Sequence, residues 1–355
     1  MARICAASFV VACGDDTRGE GASASASVTA SAGDSSSAAD SNAQSEAESA
    51  PGSSGVDDSS DGGGTKLDVG AMTGVSADDG GTADECTNVD ILFVIDDSSS
   101  MGDNQQSLVA SFPGFVAGIQ QNLELAESYH IGVVTSDDYG FNAPGCQGIG
   151  DLVWKTGGFD SSAAICGPFA SGGNYLDQSE PDLAGKFACA AQVGSQGADD
   201  EKMARGMLNA LRPDVNAPGS GACNEGFARD DSLLVIVLIS DEDDVPEPYM
   251  CDPDDPFGSN PCMTTGSTGT PDDWKAELAI YKDNLDTNVV VLALVGLQGD
   301  NPCGAVPASK LIGFANRFDD HGYTDDICAA SYDEFFAAAL PIIDQACEDY
   351  VPPEG

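Results

Sequence analysis

Three polar side chains stand at alternate positions directly after a short apolar run. The run is Ile91–Ile95, and the side chains are Asp96, Ser98 and Ser100. A run of this length is typical of a strand buried on both faces, so the polar residues fall at its carboxyl end, where open α/β sheets bind ligands. Hard divalent cations prefer oxygen ligands of this kind. The spacing therefore predicts a metal site; the alternative is a solvated turn that caps the next helix.

A second apolar run ends in another acid. Leu233–Ile239 is followed by Ser240 and Asp241. Together with the D-x-S-x-S motif at positions 96–100, this segment resembles the two signatures of the von Willebrand factor type A domain with its metal-ion-dependent adhesion site, or MIDAS. The resemblance covers roughly residues 86–350. It implies an α/β fold that is doubly wound and Rossmann-like, with a mostly parallel central sheet, flanking helices and disulfide-tied loop insertions.

The resemblance also implies how the motif residues act. Both serines, Ser98 and Ser100, would bind the cation through their hydroxyls. Asp96 would reach the cation directly or through water, and Asp241 through water. The expected cations are Mg²⁺ and Ca²⁺, with Mn²⁺ as a third candidate.

The second loop of the site departs from the family pattern. The family has a threonine just before or at the start of a helix, and the aligned position here holds Glu201. Direct binding by Glu201 would neutralise more of the cation's charge and favour a self-sufficient Ca²⁺ site. The alternative role of Glu201 is to stabilise the helix N-terminus. The alternative ligand is Ser195, slightly upstream.

Four consecutive acids, Asp241, Glu242, Asp243 and Asp244, follow the second apolar run. Carboxylates this close repel one another unless a cation lies among them. The run therefore predicts either a second Ca²⁺ in the adjoining loop or a solvated rim. Weaker candidates for the same rim are Asp97, Asp103, Asp137 and Asp138.

The overall charge limits the class of partner. The chain of 355 residues has 59 acidic and 13 basic side chains, a formal net charge of -46. This balance excludes nucleic acid and an anionic membrane surface as electrostatic partners, because both require clusters of Lys and Arg.

Twelve cysteines indicate an oxidising compartment. Two lie near the N-terminus, and the other ten are spread over the domain without the C-x-x-C pairs of a zinc site. An even, scattered set predicts disulfides. The expected pairs are Cys86–Cys347, Cys251–Cys262 and Cys303–Cys328.

The N-terminal segment suggests export. The sequence V-V-A-C at positions 10–13 resembles the lipobox of bacterial lipoproteins, in which the cysteine, here Cys13, is lipidated. We expect residues 1–13 to be the signal segment, 14–85 a disordered linker rich in Ser, Ala, Gly and Asp, and 86–350 the type A domain. The composition resembles surface lipoproteins of Gram-negative bacteria such as myxobacteria. The expected location is the outer membrane or cell surface, on the periplasmic or extracellular side, with membrane attachment only through the lipid.

Strand and helix patterns alternate from Cys86 onward, which predicts a mostly parallel sheet. The predicted strands are Val89–Ile95, Tyr129–Thr135, Leu233–Ser240 and Val289–Leu297, with a short edge strand at Leu152–Lys155. The predicted helices are Asn104–Gln121, bent or broken at Pro113, then Glu201–Leu211, Pro271–Leu285, Ala308–Phe318 and Tyr332–Tyr350.

The function expected from these features is metal-dependent adhesion to a protein or cell-surface ligand, whose acidic side chain would complete the metal shell. One alternative is a structural scaffold in which Ca²⁺ rigidifies loops. The other is a metal-dependent hydrolase with Glu201 or Glu242 as the base. We expect no enzyme activity, since His130 opens a strand at the far end of the sheet and His321 falls on the same far side.

Overall fold

The structure is a computed structural model, and it describes residues 86–122, 127–198, 200–244, 266–283, 286–299 and 301–353. The signal segment, the linker, Cys13 and the Cys251–Cys262 pair lie outside the described residues. The bounds of helices and strands given below refer to the described part of the chain.

Six strands form one sheet in the order β3-β2-β1-β4-β5-β6. All neighbours pair in parallel except β3, which runs antiparallel to β2. The chain builds the sheet outward from β1 to one edge and then from β4 to the other, so the arrangement is doubly wound. The strands are β1 (Asn88–Ile95), β2 (Ser128–Thr135), β3 (Leu176–Asp177), β4 (Leu233–Ser240), β5 (Val289–Val295) and β6 (Gly322–Asp326).

The described residues contain seven α-helices, which flank the sheet or join elements that do. They are α1 (Gly102–Asn122), α2 (Leu183–Ala191), α3 (Met203–Leu211), α4 (Pro213–Asn216), α5 (Pro271–Tyr281), α6 (Ser309–Ala315) and α7 (Asp333–Glu348). A 3-10 helix, Asn316–His321, continues from α6. Both α1 and α7 run on through an internal proline, so α1 is not broken at Pro113.

Alternate residues of each central strand enter two separate cores. In β1, Ile91 and Phe93 pack with α1, α2 and α7, whereas Leu92 and Val94 pack with α3, α5 and α6. A strand buried on both faces needs apolar residues at every position, which explains the unbroken apolar runs in the sequence. The expected α/β architecture with helices on both faces of a mostly parallel sheet is confirmed.

The edge strand expected at Leu152–Lys155 is wrong. Val153 makes one backbone hydrogen bond to Val133 of β2, and Lys155 forms an isolated bridge with Ile165. The antiparallel edge strand is instead β3, which pairs with His130 and Ile131. β3 has only two residues, too few to show an alternating pattern in the sequence.

Four disulfides join described residues. The pairs Cys86–Cys347 and Cys303–Cys328 are those expected from the sequence, and Cys146–Cys223 and Cys166–Cys189 are additional. Such a set indicates an extracellular or exported protein. In the part of the chain described here, no helix has the length and apolar character needed to cross a membrane.

Candidate metal centre

The sheet brings three loops to one edge. Ile95 of β1 is in register with Thr135 of β2 and Ile239 of β4. The next residues of these strands, Asp96, Ser136 and Ser240, therefore stand side by side at the carboxyl ends. Asp96 is fully buried, and its backbone N–H donates to the Ile239 carbonyl at 3.0 Å, which continues the ladder into the loop.

The D-x-S-x-S loop and the third loop are linked by hydrogen bonds. The Ser98 N–H donates to Asp96 Oδ1 at 2.7 Å. The Ser98 and Ser100 hydroxyls are 3.3 Å apart, and the Ser100 hydroxyl donates to Asp241 Oδ1 at 3.0 Å. Ser98 and Asp241 are buried while Ser100 is exposed, so this cluster opens to solvent on the Ser100 side. The structure thus brings together Asp96, Ser98, Ser100 and Asp241, the four residues that match the motifs of the family.

Glu201, the fifth residue, is buried beside Asp96. Its side chain is 1% exposed, and neither carboxylate oxygen has a hydrogen-bond partner within the part of the chain that is described. Burial raises its pKa well above the usual range, and the nearby carboxylate of Asp96 raises it further. The nearby Ser136 hydroxyl lowers this pKa, and Asp97 and Glu242 make smaller contributions that raise it. A buried carboxylate without a partner is costly, so it marks a place for a cation or a proton.

The start of α3 holds Glu201 at this edge. The Lys202 N–H donates to the Ser136 carbonyl at 3.1 Å, which ties the residue after Glu201 to the end of β2. One turn later, Gly206 lies against β2 so closely that a Cβ there would be 2.6 Å from the Thr135 carbonyl oxygen. Glu201 lies two residues before the helix begins, so the expected helix start at Glu201 was early.

Ser195, the alternative second-loop ligand, is engaged elsewhere. Its hydroxyl donates to Asp160 Oδ2 at 2.5 Å. The adjoining Gly194 exchanges hydrogen bonds with the Gln105 side chain, whose amide also donates to the Asp96 carbonyl at 3.0 Å. The segment around Ser195 therefore supports the D-x-S-x-S loop from outside, and Glu201 is the second-loop residue near Asp96.

A second carboxylate pair adjoins the site. The Ser136 hydroxyl donates to Asp97 Oδ1 at 3.3 Å. The Ala198 N–H donates to Asp137 Oδ2, whereas Asp137 Oδ1 is buried without a partner among the described residues. Burial raises the pKa of both acids, and the carboxyls lie close enough to interact, which raises the pKa of Asp97 further. Ser136 was missed in the sequence, although it follows a buried strand as Asp96 does.

Asp243 and Asp244 cap helices and do not form a solvated rim. Both are buried. Asp243 accepts hydrogen bonds from the N–H groups of Lys310 and Leu311 at the start of α6. Asp244 accepts from the Ala204 N–H in the first turn of α3 and from Ser267. Carboxylates at helix N-termini are stabilised by free N–H groups and the helix dipole, which explains half of the four-acid run.

Burial dominates the electrostatics of the remaining acids. The pKa of Asp96 is raised from 3.8 to about 6, mainly by burial. The hydrogen bond from the Ser240 hydroxyl at 2.6 Å lowers this pKa, and the nearby carboxylate of Asp241 raises it. Burial also raises the pKa of Asp241. These acids would ionise at lower pH if a cation stood among them.

The oxygen donors fit a hard divalent cation. Within the described residues, no three His, Cys, Asp or Glu side chains stand in a ready-made metal-binding arrangement. The candidate site differs from such arrangements because two of its donors are the hydroxyls of Ser98 and Ser100. These hydroxyls, the adjoining carboxylates and the unpartnered Glu201 form a set suited to Mg²⁺ or Ca²⁺.

Both histidines lie at the other end of the sheet. His130 is in the first half of β2, where its Nδ1 is 2.8 Å from the Phe227 carbonyl oxygen and 3.6 Å from Asp90 Oδ1. His321 immediately precedes β6, and its Nε2 is 3.4 Å from Asp349 Oδ2. Their positions agree with the expectation from the sequence.

Comparisons with known proteins add little to this picture. No protein-family model and no curated protein matches the chain. Among solved structures, the chain is similar to proximal thread matrix protein 1 from the mussel byssus, with 14% sequence identity over 74% of this chain and a TM-score of 0.37. The chain spans about half (49%) of the length of that protein. A similarity at this identity and TM-score establishes neither a function nor a partner.

Proposed function

We propose that this chain is an exported binding protein of the von Willebrand factor type A kind, which uses one divalent cation at a MIDAS-like site to hold a protein or cell-surface ligand. Ser98, Ser100, Asp96, Asp241 and Glu201 are the residues that would hold the cation. The observation that carries the proposal is the buried carboxylate of Glu201, which has no hydrogen-bond partner among the described residues and lies near the equally buried Asp96. A cation bound there would neutralise these charges and offer an electrophilic centre to an acidic side chain of the ligand.

The openness of the site favours ligand binding. Ser100 is exposed while Ser98 and Asp241 are buried, so one side of the cluster faces solvent. A ligand carboxylate could therefore approach from the Ser100 side. Attachment through a lipid on Cys13 is part of this proposal, and its support is the lipobox-like sequence at positions 10–13.

A structural role for Ca²⁺ is the second candidate, and Glu201 supports it too. A second acid beside Asp96 brings more negative charge than the hydroxyl of a threonine would. This charge favours Ca²⁺, which accepts several carboxylates, over a cation that still recruits an acidic ligand. The two functions differ in whether ligand binding requires the cation.

Calorimetric titration of the full chain with Mg²⁺, Mn²⁺ and Ca²⁺ tests the site. We expect one cation to bind per chain, and Asp96→Asn and Asp241→Asn to weaken binding at least about tenfold, since each removes a negative charge from the site. Asp344→Asn is the matched control, because Asp344 is an exposed acid of α7 close to the Cys86–Cys347 disulfide, at the opposite end of the sheet. Unchanged cation affinity in Asp96→Asn would show that the site is assigned wrongly.

A further inference from the structure

Six large apolar side chains are exposed in the described part of the chain, and two of them, Phe159 and Val306, lie on loops that contact the segments carrying the candidate metal ligands. Three belong to the long segment between β2 and α2, and one to the loop between β5 and α6. Only two of the six lie elsewhere. The six are Phe141, Phe159, Ile165 and Val306, with Ile280 and Val351 as the two remote ones.

The loop that carries Phe159 contacts the D-x-S-x-S loop and the segment around Ser195. Phe159 itself is 71% exposed. Its carbonyl accepts a hydrogen bond from the Ser195 N–H at 2.9 Å, and the next residue, Asp160, accepts from the Ser195 hydroxyl. The Asp160 carboxylate also lies against Gly102, where a Cβ would stand 3.3 Å from Asp160 Oδ2. Gly102 begins α1 just after Ser100, so Phe159 flanks the D-x-S-x-S loop.

The loop that carries Phe159 is held in one conformation. Asp160 adopts a positive φ of 59°, which is uncommon for a residue with a side chain. The Thr156 N–H donates to the Ala164 carbonyl at 2.9 Å and closes the loop below its tip. The disulfide Cys166–Cys189 then ties the loop to α2. An exposed apolar side chain on a braced loop loses little freedom when a partner covers it.

Val306 lies on the loop that is hydrogen-bonded to Asp241, the candidate ligand from the third loop. It is 42% exposed, and its N–H donates to the Asp241 carbonyl at 2.7 Å. Its loop is braced by the disulfide Cys303–Cys328 and by the Asn301 side-chain amide, which donates to the Ala305 carbonyl at 2.8 Å. Two apolar side chains are thus fixed to the two loops that carry the candidate metal ligands.

We propose that Phe159 and Val306 are the specificity-determining contacts of the ligand-binding face, and that the ligand is a protein segment with one acidic residue between apolar residues. This inference rests on the proposed metal-dependent binding function. The acidic residue would address the cation, and its apolar neighbours would cover Phe159 and Val306. A polyanionic ligand is disfavoured because the chain itself has a net charge of -46.

Selection from a random phage-displayed peptide library provides the probe. The full chain is immobilised and screened in Mg²⁺ and, separately, in chelator. We expect Mg²⁺-dependent enrichment of peptides in which a single Asp or Glu lies between aromatic or aliphatic residues. Enriched peptides without apolar residues, or no enrichment by a protein that calorimetry shows to have bound Mg²⁺, would overturn the proposal.

The variants Phe159→Ser and Val306→Ser assign the contacts. Each should weaken binding of a selected peptide about tenfold, and the double variant more, while calorimetric Mg²⁺ affinity stays unchanged. Ile280→Ser is the matched control, because Ile280 is 65% exposed on α5 beside Tyr281, far from this face. Wild-type peptide affinity in the double variant would overturn the contact assignment. Loss of Mg²⁺ binding by the wild-type chain would instead remove the proposed function.

Discussion

Glu201 is the residue of the candidate site whose burial costs the folded chain the most. A carboxylate that is buried without a hydrogen-bond partner destabilises the folded state, because no hydrogen bond compensates for the loss of its hydration. The same carboxylate becomes favourable once a cation stands beside it. Glu201 therefore makes the folded state without metal less stable and links stability to metal binding.

The variant Glu201→Gln tests this link. In chelator, we expect the variant to unfold at a higher temperature than the wild-type chain, by an amount that corresponds to about 1–3 kcal/mol, because the amide can be buried uncharged. In Ca²⁺ the order should reverse, since the variant has lost a charged ligand. Thermal unfolding followed by circular dichroism measures both, with Asp344→Asn as the control acid. A variant less stable than wild type in chelator would contradict this role for Glu201.

The pH dependence of stability also reports the cost of burying the charges of Asp96 and Glu201. Asp96 has a folded-state pKa of about 6, raised from 3.8 mainly by burial, and the pKa of Glu201 is raised further still by burial and by Asp96. For an acid with a raised pKa, the folded state binds more protons than the unfolded state, so stability increases as the pH falls through the folded-state value. In chelator, the wild-type chain should therefore be more stable at about pH 5 than at about pH 7.5, and Glu201→Gln should reduce this difference.

At the scale of elements, the approach of α3 to β2 decides where Glu201 lies. The contact depends on Gly206, whose lack of a side chain lets the helix lie directly on the Thr135 carbonyl. A glycine inside a helix is otherwise unfavourable compared with alanine by about 1 kcal/mol. Gly206 thus lowers the stability of α3, but it allows the close contact with β2 that positions the second loop.

The substitution Gly206→Ala is expected to destabilise the domain despite the better helix propensity of alanine. A Cβ placed 2.6 Å from backbone oxygen must shift α3, and we expect a loss of about 1–3 kcal/mol together with weaker cation binding. Gly313→Ala in α6 is the matched control, because its Cβ would have no neighbour nearer than 3.5 Å and should stabilise the chain. Urea unfolding and calorimetry measure the two effects. Equal stabilisation by both substitutions would contradict the close contact.

At the scale of the whole molecule, one disulfide joins the two ends of the domain. Cys86 precedes β1 and Cys347 lies in the last turn of α7, 261 residues later. Cross-linking residues this far apart restricts the unfolded chain strongly. The net charge of -46 acts in the other direction, because self-repulsion favours expansion. The end-to-end disulfide offsets part of this repulsion.

Removal of this disulfide should therefore cost more than removal of a short-range one. We expect the double variant Cys86→Ala, Cys347→Ala to lose about 2 kcal/mol more than Cys166→Ala, Cys189→Ala, since the chain-entropy cost grows with the logarithm of the loop length. The second pair closes a separation of only 23 residues. Denaturant unfolding of both double variants measures the difference, and an equal loss would argue against an entropic origin.

Much of this architecture could be predicted from the residues themselves. Runs such as Ile91–Ile95 are apolar at every position because both faces of the strand are buried. This pattern can be recognised in the sequence without knowing which strands are neighbours. The register of β1 and β4 then puts Asp96 and Ser240 side by side, as parallel strands require. The pairs Cys86–Cys347 and Cys303–Cys328 were also predicted, whereas Cys146–Cys223 and Cys166–Cys189 were not, because spacing carries no pairing rule.

The sequence by itself determined the sheet, the strand ends and the types of side chain that stand there, because hydrophobic periodicity and chain polarity are local properties. Only the tertiary structure decided which acids cap helices, which accept hydrogen bonds and which are buried without a partner among the described residues. Asp243 and Asp244 cap helices, the Ser195 hydroxyl donates to Asp160, and Glu201 is buried without a hydrogen-bond partner in the described part of the chain. These outcomes depend on contacts between segments far apart in the chain, and on burial, which sets the cost of each charge.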